Sequence, residues 1–123
     1  MQRAVVGRVL SLLLLAFLIT GFVQPVWAHA VLMESKPKAN STVAGADLPI
    51  WLRFNVRVDG SRSRLHLVAP DGSEVALDAL KQPTPDTLQS HVANLKPGTY
   101  KLQWQVLASD GHISRGEVNF TVS

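Results

Sequence analysis

The chain has 123 residues, with twelve Lys and Arg against nine Asp and Glu, four His and no Cys. This length suits one domain, and the lack of cysteine excludes disulfides, thiolate metal sites and a cysteine nucleophile. The net charge of +3 comes without clustered basic residues, so the composition does not favour nucleic-acid binding.

The first 28 residues predict a secretory signal peptide. Arg3 and Arg8 precede an apolar run over residues 9–23, which is shorter than the ~20 residues of a membrane-spanning helix. Val26 and Ala28 then supply the small or modest residues that signal peptidase accepts at the −3 and −1 positions. We therefore expect export and a cut after Ala28 rather than a retained membrane anchor. A cut after Ala30 is the alternative, because Ala28-His29-Ala30 is also a small-x-small sequence.

The predicted mature chain, residues 29–123, is nearly neutral. It keeps ten basic and nine acidic side chains, a net charge of +1, because Arg3 and Arg8 leave with the signal peptide. These scattered charges predict a solvated exterior. Met33 is the only methionine that remains, which excludes a site built from several thioethers.

The mature sequence alternates apolar and polar residues with the period of two that half-buried strands show. The clearest runs cover residues 50–56, 65–69, 100–108 and 118–122, and shorter pieces at 30–33, 75–77 and 88–92 bring the total to about seven strands. Turns are predicted at Asp59-Gly60, Pro70-Asp71-Gly72 and Lys96-Pro97-Gly98, with a polar loop at Pro83–Asp86. We therefore predict a single all-β domain, a two-sheet Greek-key β-sandwich of the immunoglobulin kind.

Two of the four histidines lie within predicted strands. His66 and His91 are interpreted as surface imidazoles without a ligand role. His112 differs because it closes the segment Ser109-Asp110-Gly111-His112 after the most regular strand. Residues i and i+2 of an extended segment point the same way, so Asp110 and His112 make half a metal site, although Asp-Gly-His is also an ordinary turn.

His29 completes the candidate site if the cut falls after Ala28. A terminal histidine offers its α-amine and its Nδ1 to one metal, and Asp110 and His112 would add an oxygen and a nitrogen. Tetragonal nitrogen and oxygen sites favour copper(II), while zinc would prefer a tetrahedral arrangement of the same donors. The donors must lose protons, so binding should weaken as the pH falls.

These residues lead to a family resemblance over essentially the whole mature chain. The sequence resembles the CopC family of periplasmic copper-binding proteins, most specifically in His29-Ala30 and in the Ser109-to-His112 segment. Weaker matches are Ser35-x-Pro37, Leu52-x-Phe54, Leu95-x-Pro97-Gly98-x-Tyr100, Trp104, Gly116 and Phe120-x-Val122.

The resemblance implies a cupredoxin-like Greek-key barrel or sandwich and one copper(II) ion held by His29, Asp110 and His112. It also implies a periplasmic role in copper resistance or homeostasis, with an inner-membrane transporter of the CopD type as a partner. We expect a monomer. Two departures stand out: Val56 occupies the place of a glutamate found in many relatives, and a methionine-rich copper(I) loop is absent.

Three functions are compatible with this sequence. The first is a copper(II) carrier or buffer, which is our prediction and is not an enzyme. The second is a copper monooxygenase, since such enzymes also use a terminal histidine, although Asp110 would fill a position that oxygen activation needs open. The third is a metal-free adhesion or binding sandwich, in which copper would not raise the melting temperature.

Overall fold

In the computed structural model, which describes residues 29–123, the chain folds as two β-sheets that pack face to face. The signal peptide predicted for residues 1–28 lies outside the described residues. Within residues 29–123 there is no helix, and hence none long and apolar enough to cross a membrane. The strands are β1 (Leu32–Lys36), β2 (Ser41–Val43), β3 (Leu48–Phe54), β4 (Val58–Val68), β5 (Glu74–Val75), β6 (Lys81–Thr84), β7 (Thr87–Val92), β8 (Gly98–Ala108) and β9 (Ile113–Val122).

The connections between strands repeatedly cross from one sheet to the other. One sheet has the order β1-β3-β7-β6 and the second has the order β2-β9-β8-β4-β5. Strand β2 runs parallel to β9, and the other pairs are antiparallel. Neighbours in a sheet are therefore mostly distant in sequence, which confirms the all-β Greek-key sandwich.

The described residues form nine strands rather than about seven, because β2 and β6 were not predicted. Strand β2 has three residues and shows too little alternation to recognise. All four residues of β6 are exposed, so this edge strand carries no apolar signal, and its Pro83 is tolerated because an edge strand has unpaired N–H positions. The predicted loop at Pro83–Asp86 is therefore partly strand.

The turn predicted at Asp59-Gly60 was also wrong. Both residues lie inside β4, where the pairing with β8 shifts register between Asp59 and Arg64. Between these two pairs β4 contains more residues than β8, so the strand bulges there, and glycine is common at such bulges. The chain therefore continues along β4 instead of reversing.

Alternate residues of β3, β8 and β9 face inward and form the core. The rings of Phe54 and Trp104 meet edge to face across the two sheets, with centroids 5.1 Å apart. Each large side chain removed from water contributes about 1.5–3 kcal/mol. The buried members of these three strands are Leu48, Ile50, Leu52, Phe54, Tyr100, Leu102, Trp104, Val106, Ala108, Val118, Phe120 and Val122.

Gly116 leaves room for the indole of its cross-strand partner Trp104. A Cβ atom at residue 116 would lie 2.3 Å from the Cζ2 atom of Trp104, far inside van der Waals contact. The glycine is thus required by core packing, and Trp104 covers the β9 backbone close to the start of that strand.

Substitution of Gly116 by alanine should lower the free energy of unfolding by about 1–3 kcal/mol, since the indole must leave its packed position. Urea denaturation measures this loss. Glu117→Ala is the control, because residue 117 is exposed on β9 and the substitution adds no atom to the core. Equal losses in the two variants would contradict the proposed packing role of Gly116.

Candidate metal centre

The loop between β8 and β9 is a tight turn with three main-chain hydrogen bonds. The N–H of Ala108 donates to the carbonyl of His112 at 2.8 Å, and the N–H of Gly111 donates to the carbonyl of Ala108 at 2.9 Å. Gly111 has φ of +88°, which favours glycine. The N–H of Ser109 donates to the carbonyl of Arg57 at 3.0 Å, and this bond fixes the loop to the segment between β3 and β4.

Asp110 and His112 lie together as predicted, but for a different reason. The segment is a turn and not an extended strand, so the approach does not come from strand alternation. Asp110 Oδ1 accepts a hydrogen bond from the N–H of His112 at 3.0 Å, and Asp110 Oδ2 lies 3.4 Å from His112 Nδ1. The carboxylate thereby holds both the backbone and the ring of His112.

Asp110 is anionic at neutral pH. The N–H of His112 donates to its carboxylate and lowers the pKa of Asp110 below the ordinary value, partial desolvation opposes this, and the His112 and His29 imidazoles add attraction. The carboxylate can therefore serve as an oxygen donor without first losing a proton.

The N-terminal segment is fixed to both sheets just after His29. Ala30 is buried, with 5% of its surface exposed, and its N–H donates to Ser114 Oγ of β9 at 3.1 Å. The N–H of Val31 donates to Asn55 Oδ1 at 2.7 Å, and the N–H of Asn55 donates to the carbonyl of Val31 at 3.0 Å. These contacts bring the first described residue to the β8–β9 turn.

His29 consequently lies beside His112. The two imidazole centroids are 5.8 Å apart and the rings are nearly perpendicular, at 83°. His29 also attracts the Asp110 carboxylate electrostatically. The structure thus brings the three predicted site residues, His29, Asp110 and His112, into one corner of the sandwich.

These three side chains are near one another without forming a closed metal-binding cluster. Within residues 29–123, no group of three or more His, Cys, Asp or Glu is placed so that it could hold a metal ion. The nitrogen of His29 is a peptide nitrogen in the full chain, since Ala28 precedes it. The α-amine that the predicted site needs would exist only after a cut at that bond.

The other two histidines lie outside this corner. His66 Nδ1 is 2.6 Å from Glu74 Oε1, and His91 Nδ1 is 3.4 Å from Asp78 Oδ2. Both imidazoles are 44–49% exposed, which agrees with their interpretation as surface residues.

Sequence reasoning missed Asn55 and Ser114, which hold the N-terminal segment. Asn55 occupies a polar position of the predicted run over residues 50–56, and Ser114 lies before the predicted run over residues 118–122. At both positions a hydrogen-bonding side chain and a solvated one look alike in the sequence. Their neighbour Val56 is half-buried and packs against the core, so it makes no polar contact with the site. Asn55 could have been found only with the register of β1 and β3 known, because that register shows which main-chain N–H group lies opposite residue 55.

Comparisons with known proteins give a consistent result. Residues 32–123 match the CopC domain family. Protein YobA of Escherichia coli strain K12 is 37% identical over 112 residues, which cover 88% of this chain and 90% of YobA. The crystal structure of CopC from Methylosinus trichosporium OB3b aligns with a TM-score of 0.72 and 31% identity, covering 77% of this chain and 94% of that one.

A second solved structure is PcoC, described as a methionine-rich copper resistance protein from Escherichia coli. It aligns with a TM-score of 0.67 and 30% identity, and the alignment covers 78% of this chain and 100% of PcoC. The sheet arrangement and these likenesses define an all-β sandwich of the kind seen in CopC and PcoC. The chain belongs to the CopC family, and the resemblance drawn from the sequence is confirmed.

The conformation of Gly111 generates a prediction for the turn. Gly111→Ala should cost about 1–2 kcal/mol of folding free energy, because a side chain at positive φ is strained. It should also weaken the nuclear Overhauser contacts between the His29 and His112 rings. Gly72 also has positive φ, +85°, and free space around its Cβ position, so Gly72→Ala is a matched control with similar strain. Unchanged ring contacts in Gly111→Ala would show that the turn does not place His112.

Proposed function

We propose that the protein is exported, is cut after Ala28, and then carries or buffers copper(II) in the periplasm as part of copper resistance or homeostasis. One copper(II) ion would bind to His29, Asp110 and His112. The observation that supports this most directly is the 5.8 Å separation of the His29 and His112 rings, because these residues come from opposite ends of the mature chain.

The donors at this corner fit copper(II) as cargo. Two imidazoles, an anionic carboxylate and an α-amine make three nitrogens and one oxygen when His29 contributes both of its nitrogens. Copper(II) favours tetragonal nitrogen and oxygen ligands and has the highest affinity among the divalent first-row metals. The donors lie near one another but do not yet surround a common position for the ion. A small movement of the freed N-terminus would complete the site.

A single copper(II) site is supported by the lack of soft ligands. PcoC is described as methionine-rich, whereas Met33 is the only methionine here after residue 28 and cysteine is absent. Thioether and thiolate ligands select copper(I). The protein would therefore handle copper(II), without a second methionine-rich site for copper(I).

A carrier role is better supported than an enzymatic one. Copper chemistry with oxygen requires an open coordination position, and Asp110 Oδ2 already lies 3.4 Å from the ring of His112, where it would bind at or beside the ion. We propose that the protein acts as a monomer and exchanges copper with an inner-membrane transporter of the CopD type. Val31 lies two residues after His29, Ile113 directly follows His112, and both apolar side chains are exposed. They would let a partner contact the protein around the ion.

Removal of the terminal histidine should abolish tight copper(II) binding. His29→Ala removes the ring, and one glycine added before His29 in the mature protein converts the α-amine to a peptide nitrogen. Each change should lower the affinity by more than the roughly 10–100-fold typical of outer-shell substitutions. Competition with a copper(II) chelator measures the affinity, after the intact mass of the secreted protein has shown whether residue 29 is first.

His91→Ala and His66→Ala are the matched controls, because each removes a surface imidazole away from the corner. They should bind copper(II) as the parent does. Parental affinity in either His29 variant would exclude the proposed site. Oxidation of a polysaccharide by the copper-loaded protein with ascorbate would favour the monooxygenase, and a melting temperature unmoved by copper would favour the metal-free sandwich.

Copper(II) affinity should fall as the pH is lowered from about 8 to about 5, because metal binding releases protons from the nitrogen donors. Each nitrogen donor that is protonated in the metal-free protein weakens binding by about tenfold per pH unit. Asp110 should contribute little to this dependence, because its lowered pKa keeps it ionised over that range. Chelator competition at several pH values checks this, and an affinity independent of pH would contradict nitrogen ligation.

A further inference from the structure

The residues that follow His29 are held more firmly than a chain end usually is. Ala30 and Val31 each use their N–H in a hydrogen bond to a side chain, at 3.1 Å to Ser114 Oγ and 2.7 Å to Asn55 Oδ1. Asn55 also donates its own N–H to the carbonyl of Val31. One residue therefore binds both main-chain polar groups of Val31, and one of the two acceptors is a side chain where a strand ladder would use a main-chain carbonyl.

The two side chains reach the N-terminal segment from different sheets. Asn55 follows directly after β3, whereas Ser114 is the second residue of β9 and is two residues from His112. The bond to Ser114 therefore holds the N-terminal segment against β9, the strand that begins beside His112. The bond to Asn55 prevents the segment from rotating about that single point.

Such fixation matters because chain termini normally fray. A terminal histidine that offers its α-amine and its ring must hold both nitrogens toward the same ion as His112. If residues 30 and 31 were free, binding would have to order them first, and the entropy of ordering would weaken the complex. Pre-formed hydrogen bonds remove that cost before the metal arrives.

We propose that Asn55 and Ser114 are positioning residues that set the mature N-terminus for metal binding. They do not contact the ion; they hold Ala30 and Val31 so that His29 faces His112. This inference rests on the proposed function, and it adds two residues that were not among the predicted ligands. Asn55 acts through Oδ1, and its main-chain bond to Val31 is independent of the side chain.

The decisive variants are Asn55→Ala and Ser114→Ala, each of which removes one side-chain acceptor and leaves the strands paired. In the metal-free protein, water exchange of the Val31 amide should speed up by about two- to tenfold in Asn55→Ala, and that of the Ala30 amide should do so in Ser114→Ala. In both variants copper(II) affinity should fall by about tenfold. The copper(II) paramagnetic resonance lines should broaden, because the N-terminus adopts several arrangements.

Two controls separate positioning from general stability. Asn119→Ala changes an exposed asparagine on β9, and Ser90→Ala removes a hydroxyl that donates to the carbonyl of Asp78 at 2.8 Å, away from the corner. Both should keep parental exchange, affinity and spectra. Asn55→Asp keeps an acceptor for the Val31 N–H and should restore slow exchange and tight binding.

The outcomes distinguish this inference from the proposed function. If His29→Ala loses copper but Asn55→Ala and Ser114→Ala bind like Asn119→Ala, the positioning role is wrong and the metal site stands. If His29→Ala binds copper normally, the metal site is wrong, and parental amide exchange in Asn55→Ala would overturn the positioning role as well. Faster exchange together with weaker binding, rescued by Asn55→Asp, supports it.

Discussion

The hydrogen bond from the Ala30 N–H to the Ser114 hydroxyl is the contact on which the candidate site depends, because it joins the segment after His29 to the strand that follows His112. Strand β1 and the β8–β9 hairpin belong to different sheets. Here Ala30 is buried at the boundary between them, and its amide is satisfied by β9. The polar main chain at this boundary would otherwise be unpaired, so packing and hydrogen bonding favour the same position.

The other half of the site is rigid for a separate reason. The turn that carries Asp110 and His112 closes the longest hairpin, in which β8 and β9 pair continuously from Gly98 and Val122 to Leu107 and Ile113. Gly111 permits the turn, and Asp110 holds His112 within it. Further along the hairpin, the indole of Trp104 occupies the space that a side chain at residue 116 would need. A rigid hairpin and a fixed strand end can therefore present donors to one ion without a dedicated loop.

The sequence predicted those features that depend on strong local patterns. Alternation over residues 100–108 and 118–122 predicted β8 and β9. The i, i+2 spacing of Asp110 and His112 predicted their approach, although the turn at Gly111 produces it and strand alternation does not. Strand β6 could not be predicted because all of its residues are exposed, so burial imposes no period on them. Asn55 could not be predicted because its importance comes from the pairing of β1 with β3, a long-range contact that spacing along the chain does not contain.

The proposed ligand set has a consequence for when the protein can bind copper. An α-amine and a ring nitrogen of the same histidine form a chelate only if no residue precedes it, and Ala28 precedes His29 in the full chain. The uncut chain would therefore offer the two imidazoles and the Asp110 carboxylate but no α-amine, and the chelate ring at His29 could not form. On this ligand set, the proposed cut after Ala28 would complete the metal site, so tight copper binding would arise where the protein is delivered and not where it is made.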